Sequence, residues 1–180
     1  MSSSRAYIGL GSNQGDRLQL INAAADRLSE LLDGLECSPL YETDPQEVTD
    51  QPLFLNAVLS GVTDASAREL LAHLHDVERD LGRAREREQH KGPRGIDLDL
   101  LLFGDRVVGH DSGDDAANHR HAGPVVPHPT MHRRAFVLIP LLDLAPESRD
   151  PRDGTPFHAY LEALPPQGVY YYGTCSYTTV

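Results

Sequence analysis

Two aspartates spaced two residues apart, Asp97 and Asp99, have the residue types and spacing best suited to binding a metal ion. They lie at the start of an apolar segment, residues 96–103, that predicts a buried strand. Side chains of a strand alternate between its faces, so both carboxylates point the same way, about 7 Å apart along the strand. Mg²⁺ commonly uses one or two carboxylates plus substrate phosphates. The pair therefore predicts a divalent-cation site; a solvated acidic strand edge is the alternative, and the apolar run after the pair favours the site.

A group of cations precedes this strand closely along the chain, although the protein as a whole has a formal net charge of −11. The group consists of Arg83, Arg85, Arg87, Lys91 and Arg94. Guanidinium groups bind phosphate oxygens in pairs and spread positive charge over a transferred group. An alternative explanation for Arg83 and Arg85 is that the dipole of a helix favours cations at its C-terminus, but this does not explain Arg94. The group therefore indicates a polyphosphate ligand, whereas the negative charge of the remaining surface argues against a nucleic-acid partner.

Other features of the sequence restrict the class of protein. No apolar run approaches the roughly 18 residues of a membrane span, and the first residues lack the features of a secretory signal. Cys37 and Cys175 are the only cysteines, and their spacing indicates neither a disulfide framework nor a zinc motif. The P-loop motif is absent, and Gly9-x-Gly11 lacks the third glycine of a dinucleotide fingerprint, so we interpret it as a tight turn. We expect a cytoplasmic, monomeric protein of one domain over residues 1–180, without a membrane partner.

Apolar periodicity and turn-forming residues divide the chain into strands and helices. Ser66 and Glu69 have the spacing of a capping box at a helix start, and Gly34 is expected to end the first helix. The predicted strands span residues 6–10, 35–42, 54–62 and 96–103, and the predicted helices span residues 16–34, 66–82 and 136–144. This order predicts an α+β fold, a ferredoxin-like βαββαβ core with a mainly antiparallel sheet flanked by helices. Residues 104–123 are interpreted as a surface insertion and residues 166–180 as an atypical tail.

Four motifs, in order along the chain, resemble those of one enzyme family. They are residues 7–13 (Tyr-Ile-Gly-Leu-Gly-Ser-Asn), 41–43 with 54–57 (Tyr-Glu-Thr and Phe-Leu-Asn-Ala), 92–99 (Gly-Pro-Arg-Gly-Ile-Asp-Leu-Asp), and 126–129 with 134–136 (Val-Pro-His-Pro and Arg-Ala-Phe). Over about residues 6–165 the chain resembles the 6-hydroxymethyl-7,8-dihydropterin pyrophosphokinase family of folate biosynthesis. The resemblance implies transfer of the β and γ phosphates of ATP together onto the hydroxymethyl oxygen of the pterin, with release of AMP. It also implies two Mg²⁺ ions and small-molecule substrates.

The resemblance also assigns roles to particular residues, with Asp97 and Asp99 as the metal ligands. The catalytic residues that it implies are Arg83, Arg85, Arg94, Asp97 and Asp99, and the implied ATP contacts are Glu78, Arg83, Arg85, Arg94, His128 and Arg134. The residues implied for the pterin are Thr43, Asp44, Pro45, Gln46, Phe54, Asn56 and Phe136. Considered without the family, Phe54 and Phe136 would be ordinary core residues, whereas the amide of Asn56 in an apolar strand needs hydrogen-bond partners.

Some positions depart from the family pattern. His90-Lys91 stands where Arg-Trp is frequent, and Gly95 replaces a usual Thr. We expect weaker local contacts from such changes, while the metal ligands are intact. Two other functions stay open from the sequence alone. A different metal-dependent phosphoryl or nucleotidyl transferase would use the same aspartate pair on a similar sheet, and a sensor without turnover would keep the same pockets.

Overall fold

The computed structural model describes residues 3–45, 50–82, 95–109 and 123–177. Within these ranges it contains six strands and four helices, together with a short 3₁₀ helix at Met131–Arg133. The strands are β1 (Ser4–Ser12), β2 (Asp33–Cys37), β3 (Pro39–Thr43), β4 (Phe54–Thr63), β5 (Asp97–Phe103) and β6 (Val169–Thr174). The helices are α1 (Arg17–Ser29), α2 (Ala67–Asp80), α3 (Ala135–Leu144) and α4 (Phe157–Ala163). None of these described helices is long and apolar enough to cross a membrane.

The strands form one antiparallel sheet in the order β5-β1-β4-β3-β6, and β2 also pairs with β4. α1 connects β1 to β2, and α2 connects β4 to β5. Each of these two helices therefore links strands that are separated by one intervening strand of the sheet. The predicted α+β class with an antiparallel sheet is confirmed, and the strand order is compatible with the predicted ferredoxin-like βαββαβ core.

The start of α2 agrees with the predicted capping box. Ser66 Oγ accepts the backbone N–H of Glu69 at 3.3 Å, and a Glu69 carboxylate oxygen accepts the backbone N–H of Ser66 at 2.8 Å. These bonds satisfy amides that have no acceptor within the helix. Leu70, Leu74 and Val77 are buried along one side of α2 and belong to the apolar cluster between the helix and the sheet.

α1 ends earlier than predicted, at Ser29 rather than at Gly34. The amides of Leu31 and Leu32 both donate to the carbonyl of Leu28, which tightens the last turn and ends the helix. Gly34 instead lies within β2, with φ of +59°, where the register between β2 and β4 shifts. Glycine adopts this conformation readily because it has no Cβ, so Gly34 serves an irregularity of the strand and not a helix end.

The strand predicted at residues 35–42 is two strands, β2 and β3, which are interrupted at Ser38 before Pro39. Proline has no backbone N–H to donate to a neighbouring strand. The Ser38 hydroxyl accepts the amide of Val58 at 3.0 Å, and the Ser38 amide donates to the Val58 carbonyl at 2.9 Å. The serine therefore keeps β4 hydrogen-bonded through this interruption. The other predicted strands and α3 are present, with ends that differ by two residues or fewer.

Apolar side chains pack against both faces of the sheet. The face covered by α1 and α2, here the α1/α2 face, has a continuous cluster whose members include Ile8, Leu28, Leu55, Leu74 and Leu98. The opposite face, here the α3/α4 face, has a second cluster that includes Val58, Leu101, Met131, Leu138 and Phe157. The second cluster occupies only part of its face, and an open cleft lies beside it.

Residues of the predicted tail continue the sheet. β6 pairs with β3 in a register that aligns Thr43 with Val169. After β6, the backbone N–H of Ser176 donates to Asn22 Oδ1 of α1 at 3.0 Å. The tail therefore adds a strand beside β3 and then contacts α1. The predicted insertion at 104–123 lies mostly outside the described residues, and the boundaries of the single domain stay predictions.

Candidate functional site

The aspartate pair lies on β5, and its two side chains face the cleft on the α3/α4 face. Asp97 and Asp99 are both partly exposed. Ile96, Leu98 and Leu100, which alternate with them, are 0%, 1% and 4% exposed and pack in the cluster on the α1/α2 face. The alternation of one strand therefore presents two carboxylates to the cleft and three apolar side chains to the core, as the sequence predicts.

Glu78 of α2 supports the backbone of β5. The Glu78 residue is 1% exposed, and its Oε1 accepts the backbone N–H of Leu98 at 2.8 Å. Leu98 is the residue between the two aspartates, so this hydrogen bond ties the carboxylate-bearing strand to α2. Hydrogen bonds to an ionised carboxylate are shorter and stronger than neutral ones. Glu78 thus has a structural contact at the site, and its contact with ATP stays a prediction.

Two glycines of β1 form the floor of the cleft between β5 and β4. The register aligns Gly11 with Asp97 on one side and with Asn56 on the other. A Cβ at position 11 would lie 2.9 Å from Asn56 Oδ1, closer than Cβ atoms approach other atoms in proteins, so a side chain here would displace the amide. For a Cβ on Gly9 the nearest atoms belong to the Leu101 side chain, at 3.4 Å or more. Both glycines are strand residues, so the tight turn predicted for Gly9-x-Gly11 is wrong.

Asn56 and Thr43 form a buried polar pair on the far side of this floor. Asn56 Nδ2 donates to Thr43 Oγ1 at 2.6 Å, and the two residues are 5% and 1% exposed. A buried amide requires such a partner, and the bond fixes the orientation of the Asn56 side chain. Phe54 at the start of β4 and Phe136 in the first turn of α3 line the same cleft. Two aromatic rings and an oriented amide therefore surround one space.

Arg134 lies at the start of α3 as its N-cap residue and also lines the cleft. Its guanidinium carbon is 5.7 Å from the centroid of the Phe136 ring, within the range of a cation–π contact. Farther along α3, Asp143 accepts a hydrogen bond from the Tyr41 hydroxyl of β3 at 2.7 Å. Burial, followed by this hydrogen bond, raises the pKa of Tyr41 to about 12. The phenol therefore stays protonated at neutral pH and ties α3 to the sheet.

His128 lies next to the aspartate pair, on the segment between β5 and α3. Its backbone N–H donates to the Leu101 carbonyl at 2.8 Å, which holds this segment against β5. The Nε2 atom of His128 is 4.0 Å from Asp99 Oδ1, and its Nδ1 atom is 3.4 Å from the backbone nitrogen of Thr130. The Nε2 side of the ring therefore faces Asp99, and the Nδ1 side faces Thr130.

Most of the predicted site residues that the structure describes line this one cleft, whose empty space including its mouth is about 790 Å³. They are Thr43, Asp44, Phe54, Asn56, Asp97, Asp99, Arg134 and Phe136. Pro45, Glu78 and His128 are described but stand outside the lining. The others, Gln46, Arg83, Arg85 and Arg94, lie outside the described residues, so their roles stay predictions. A cleft of this size is suited to small ligands.

Several residues of the cleft were not identified as site residues from the sequence. Gln51, Leu101 and Val137 line it together with Gly9 and Gly11. The glycines did carry a signal, because glycine inside an apolar strand often marks the close approach of another group. In the sequence, Leu101 and Val137 cannot be distinguished from ordinary core residues. Their position in the cleft results from the packing of α3 against β5 and β4, which the sequence pattern does not predict.

The aspartate pair fits Mg²⁺ by its chemistry and its position. Both side chains are hard oxygen ligands at partly exposed positions, and they face open space in which water and phosphate oxygens have room to complete the coordination. Within the described ranges, no group of three or more His, Cys, Asp or Glu side chains forms a metal site. Asp97 and Asp99 are therefore candidate ligands for a cation that is also bound by substrate phosphates.

The fold places the chain in a known structural class. A crystal structure of an HPPK-DHPS protein in complex with substrates aligns with a TM-score of 0.72 at 12% identity, over 91% of this chain and 43% of that one. A crystal structure of the Plasmodium falciparum HPPK-DHPS with pteroate aligns with a TM-score of 0.68 at 15% identity, over 89% of this chain and 42% of that one. At these identities the likeness shows that the α+β fold is shared.

Residues 7–146 match the model of the family described as 7,8-dihydro-6-hydroxymethylpterin-pyrophosphokinase (HPPK). The chain belongs to this family, so the predicted resemblance is confirmed. It is 39% identical over 167 residues to a 2-amino-4-hydroxy-6-hydroxymethyldihydropteridine pyrophosphokinase of Pseudomonas aeruginosa, covering 92% of this chain and 94% of that protein. It is 36% identical over 159 residues to the folic acid synthesis protein fol1 of Pneumocystis carinii, covering 88% of this chain. The chain spans only 20% of the length of that fungal relative.

Proposed function

We propose that this chain transfers the β,γ-pyrophosphoryl group of ATP to the hydroxymethyl oxygen of 6-hydroxymethyl-7,8-dihydropterin, forming AMP and the pterin diphosphate. The observation that carries the proposal is the shared cleft. Asp97 and Asp99 lie on one side of it and Asn56 on the other, with Gly11 between them. β5 and β4 are two strand spacings apart, about 10 Å. This separation suits a heterocycle bound at one side whose substituent meets a phosphate chain bound at the other.

The aromatic end of the cleft is proposed to bind the pterin. Phe54 and Phe136 stack against its flat ring, and the amide of Asn56 donates to and accepts from its edge. Thr43 orients that amide through the 2.6 Å hydrogen bond. The backbone of residues 43–46 is proposed to complete this pocket. Because a buried amide without a complementary partner is costly, the pocket favours a ring with alternating donors and acceptors over one of similar size without them.

The carboxylate end is proposed to bind the phosphates of ATP. Asp97 and Asp99 would hold the two Mg²⁺ ions, which would neutralise negative charge on the transferred phosphates. His128 beside Asp99 and Arg134 at the start of α3 contribute positive or hydrogen-bonding groups toward the triphosphate. The remaining proposed ATP contacts are Glu78, Arg83, Arg85 and Arg94.

In the proposed reaction the hydroxymethyl oxygen forms a bond to the β-phosphorus of ATP. The bond from the β-phosphorus to the oxygen that bridges it to the α-phosphorus breaks, and AMP leaves with that oxygen. The hydroxyl proton passes to the Asp97 carboxylate or to water. The contribution of the protein is to hold the two substrates in line and to stabilise the phosphate charge, which carries most of the rate in phosphoryl transfer.

Phosphorus NMR of the full chain with ATP, Mg²⁺ and the hydroxymethyl pterin tests the proposal. We expect resonances of AMP and of a pterin diphosphate to appear together in equal amounts. Free pyrophosphate with a nucleotidylated product would instead identify a nucleotidyl transferase. Binding of both ligands without any product would identify a sensor.

Membership of the HPPK family and the similarity to the Pseudomonas aeruginosa protein support this proposal. A cytoplasmic location, a monomeric state and the number of Mg²⁺ ions stay predictions from the sequence. Sedimentation of the full chain and a metal titration monitored by calorimetry address the last two.

A further inference from the structure

Gln167 lies between α4 and β6, beyond the residues 7–146 that match the family model. Its side-chain amide makes two hydrogen bonds to backbone groups near the start of α3. Gln167 Oε1 accepts the N–H of Ala135 at 2.9 Å, and Gln167 Nε2 donates to the carbonyl of Arg133 at 3.1 Å. These two backbone groups flank Arg134. One side chain from the tail therefore holds the backbone on both sides of a residue that lines the cleft.

The hydrogen bond to Ala135 satisfies one of the free amides at the start of α3. The first amides of a helix have no acceptor within it, and a side chain of the N-cap residue commonly supplies one. The N-cap residue of α3 is Arg134, which makes no side-chain cap hydrogen bond. Gln167 supplies the acceptor from elsewhere in the chain, so the first turn of α3, with Phe136 in it, depends on the tail for its position.

The residue after Gln167 contacts the opposite wall of the cleft. The carbonyl of Gly168 accepts the backbone N–H of Asp44 at 3.1 Å, and Thr43 pairs with Val169. A Cβ at position 168 would overlap the carboxylate of Asp44, which lines the cleft. Two consecutive tail residues therefore join the start of α3 to the end of β3, the two walls that meet at the aromatic end of the cleft.

We propose that Gln167 is a positioning residue that holds Arg134 and Phe136 in the geometry needed to bind the two substrates. Gly168 assists by setting the distance between the tail and Asp44. The proposal rests on the proposed function for the identity of the ligands. According to this proposal, a segment outside the family match helps to form the substrate site and does not act on stability alone.

Replacement of Gln167 by Ala tests the proposal through steady-state kinetics. We expect the KM for both the pterin and ATP to rise about tenfold, about the size of effect expected when a positioning hydrogen bond is lost, while kcat changes less. Gln167→Glu keeps an acceptor for the Ala135 amide but removes the donor to the Arg133 carbonyl, so its KM values should fall between those of Gln167→Ala and the natural chain. Gln19→Ala, at an exposed glutamine of α1, is the matched control and should leave both KM values unchanged.

A purely structural role predicts a different result. It would lower the melting temperature of Gln167→Ala but leave both KM values of the folded protein unchanged, and that outcome would overturn the proposal. If Gln167→Ala does not fold, Gly168→Ala provides the second test, because its Cβ would overlap the Asp44 carboxylate and displace it, while the Gln167 side chain is kept. It should raise the KM for the pterin more than the KM for ATP, and equal or absent effects would count against the positioning role.

Dissociation constants separate this proposal from the proposed function. Titration of the hydroxymethyl pterin, followed by its own fluorescence, reports binding whether or not turnover occurs. A natural chain that binds the pterin without turnover would contradict the proposed reaction, and weaker binding by Gln167→Ala would still support the positioning role. Equal pterin affinity in the natural chain and Gln167→Ala would contradict the positioning role even if the natural chain is active.

Discussion

The two faces of the sheet are built from the same strands but differ in how completely they are covered. On the α1/α2 face the apolar side chains of the central strands pack in one buried cluster with residues of α1 and α2, and Leu55 and Leu98 are 0% and 1% exposed. On the α3/α4 face the cluster around Leu101 covers one part, and the other part is the open cleft. The strand period of two places neighbouring residues on opposite faces. In one strand, alternate residues therefore have different roles. One set packs in the core and stabilises the fold, and the other set faces the cleft.

The comparison shows that the site depends on positions without a side chain as well as on functional side chains. Gly9 and Gly11 contribute no side chain to the α3/α4 face, so the sheet is bare between β5 and β4. The opposite face of the same strands carries the larger apolar cluster. We therefore expect substitutions on the two faces to have separable effects on activity and on stability.

The largest expected effect on activity comes from substitutions of the aspartates of β5, and the residue between them provides the comparison. Asp97→Asn or Asp99→Asn should lower kcat by about a thousandfold or more, because a charged metal ligand is lost, while the melting temperature changes little. Leu98→Ala should do the opposite. It should cost about 2–5 kcal/mol of stability by opening a cavity but leave kcat within about threefold well below the melting temperature. Rate assays and thermal unfolding of the three variants measure both quantities, and equal losses of kcat for Asp97→Asn and Leu98→Ala would refute the separation.

The second effect concerns the floor of the cleft. Gly11→Ala places a methyl group 2.9 Å from Asn56 Oδ1 and must displace that amide. We expect the KM for the pterin to rise about tenfold or more, since the loss of one buried hydrogen-bonding group is worth about that much. Gly9→Ala is the matched comparison, because the atoms nearest its methyl group belong to Leu101 at 3.4 Å, an ordinary contact distance, and its KM should rise clearly less. Similar KM values for the two variants would show that Asn56 does not bind the pterin edge.

The smallest effect on activity is expected at the turn between α3 and α4. Asp150 is 0% exposed; burial alone would raise the pKa of its carboxyl, but hydrogen bonds from the side chain and backbone of Arg152 hold that pKa below its ordinary value. The carboxyl is therefore more acidic in the folded chain than in the unfolded one. Its stabilising contribution is complete above about pH 4, the unfolded pKa, and is lost as the pH falls through the folded pKa.

Asp150→Asn should accordingly lower the melting temperature at pH 7 by about 4–8 °C, as expected for about 2 kcal/mol in a chain of this size. The difference from the natural chain should shrink steadily below about pH 4. Melting curves between pH 7 and pH 3 measure this, with activity below the melting temperature as the control. A difference that does not depend on pH would show that the carboxylate charge is not responsible.

The sequence predicts those parts of the site that depend on local pattern. The alternation around Asp97 and the capping box at Ser66 follow from the strand period and from short-range hydrogen bonding, and both are present. The prediction that Gly34 ends a helix is wrong, because a glycine with positive φ is found both at helix ends and at irregularities in strands. The role of Gly11 depends on which strands become neighbours, and the contacts of Gln167 join segments about thirty residues apart. No local pattern encodes such tertiary contacts.

The pairing of distant segments has a consequence for how the chain acquires its site. Gly11 pairs with Asp97, and Thr43 pairs with Val169, so both sides of the cleft require the closure of long loops. Such closures cost entropy before the new contacts compensate for it, and folds dominated by them form slowly. We therefore expect the ability to bind the pterin to appear late during folding. The rate at which pterin binding returns after dilution from denaturant should then report when the native state is complete.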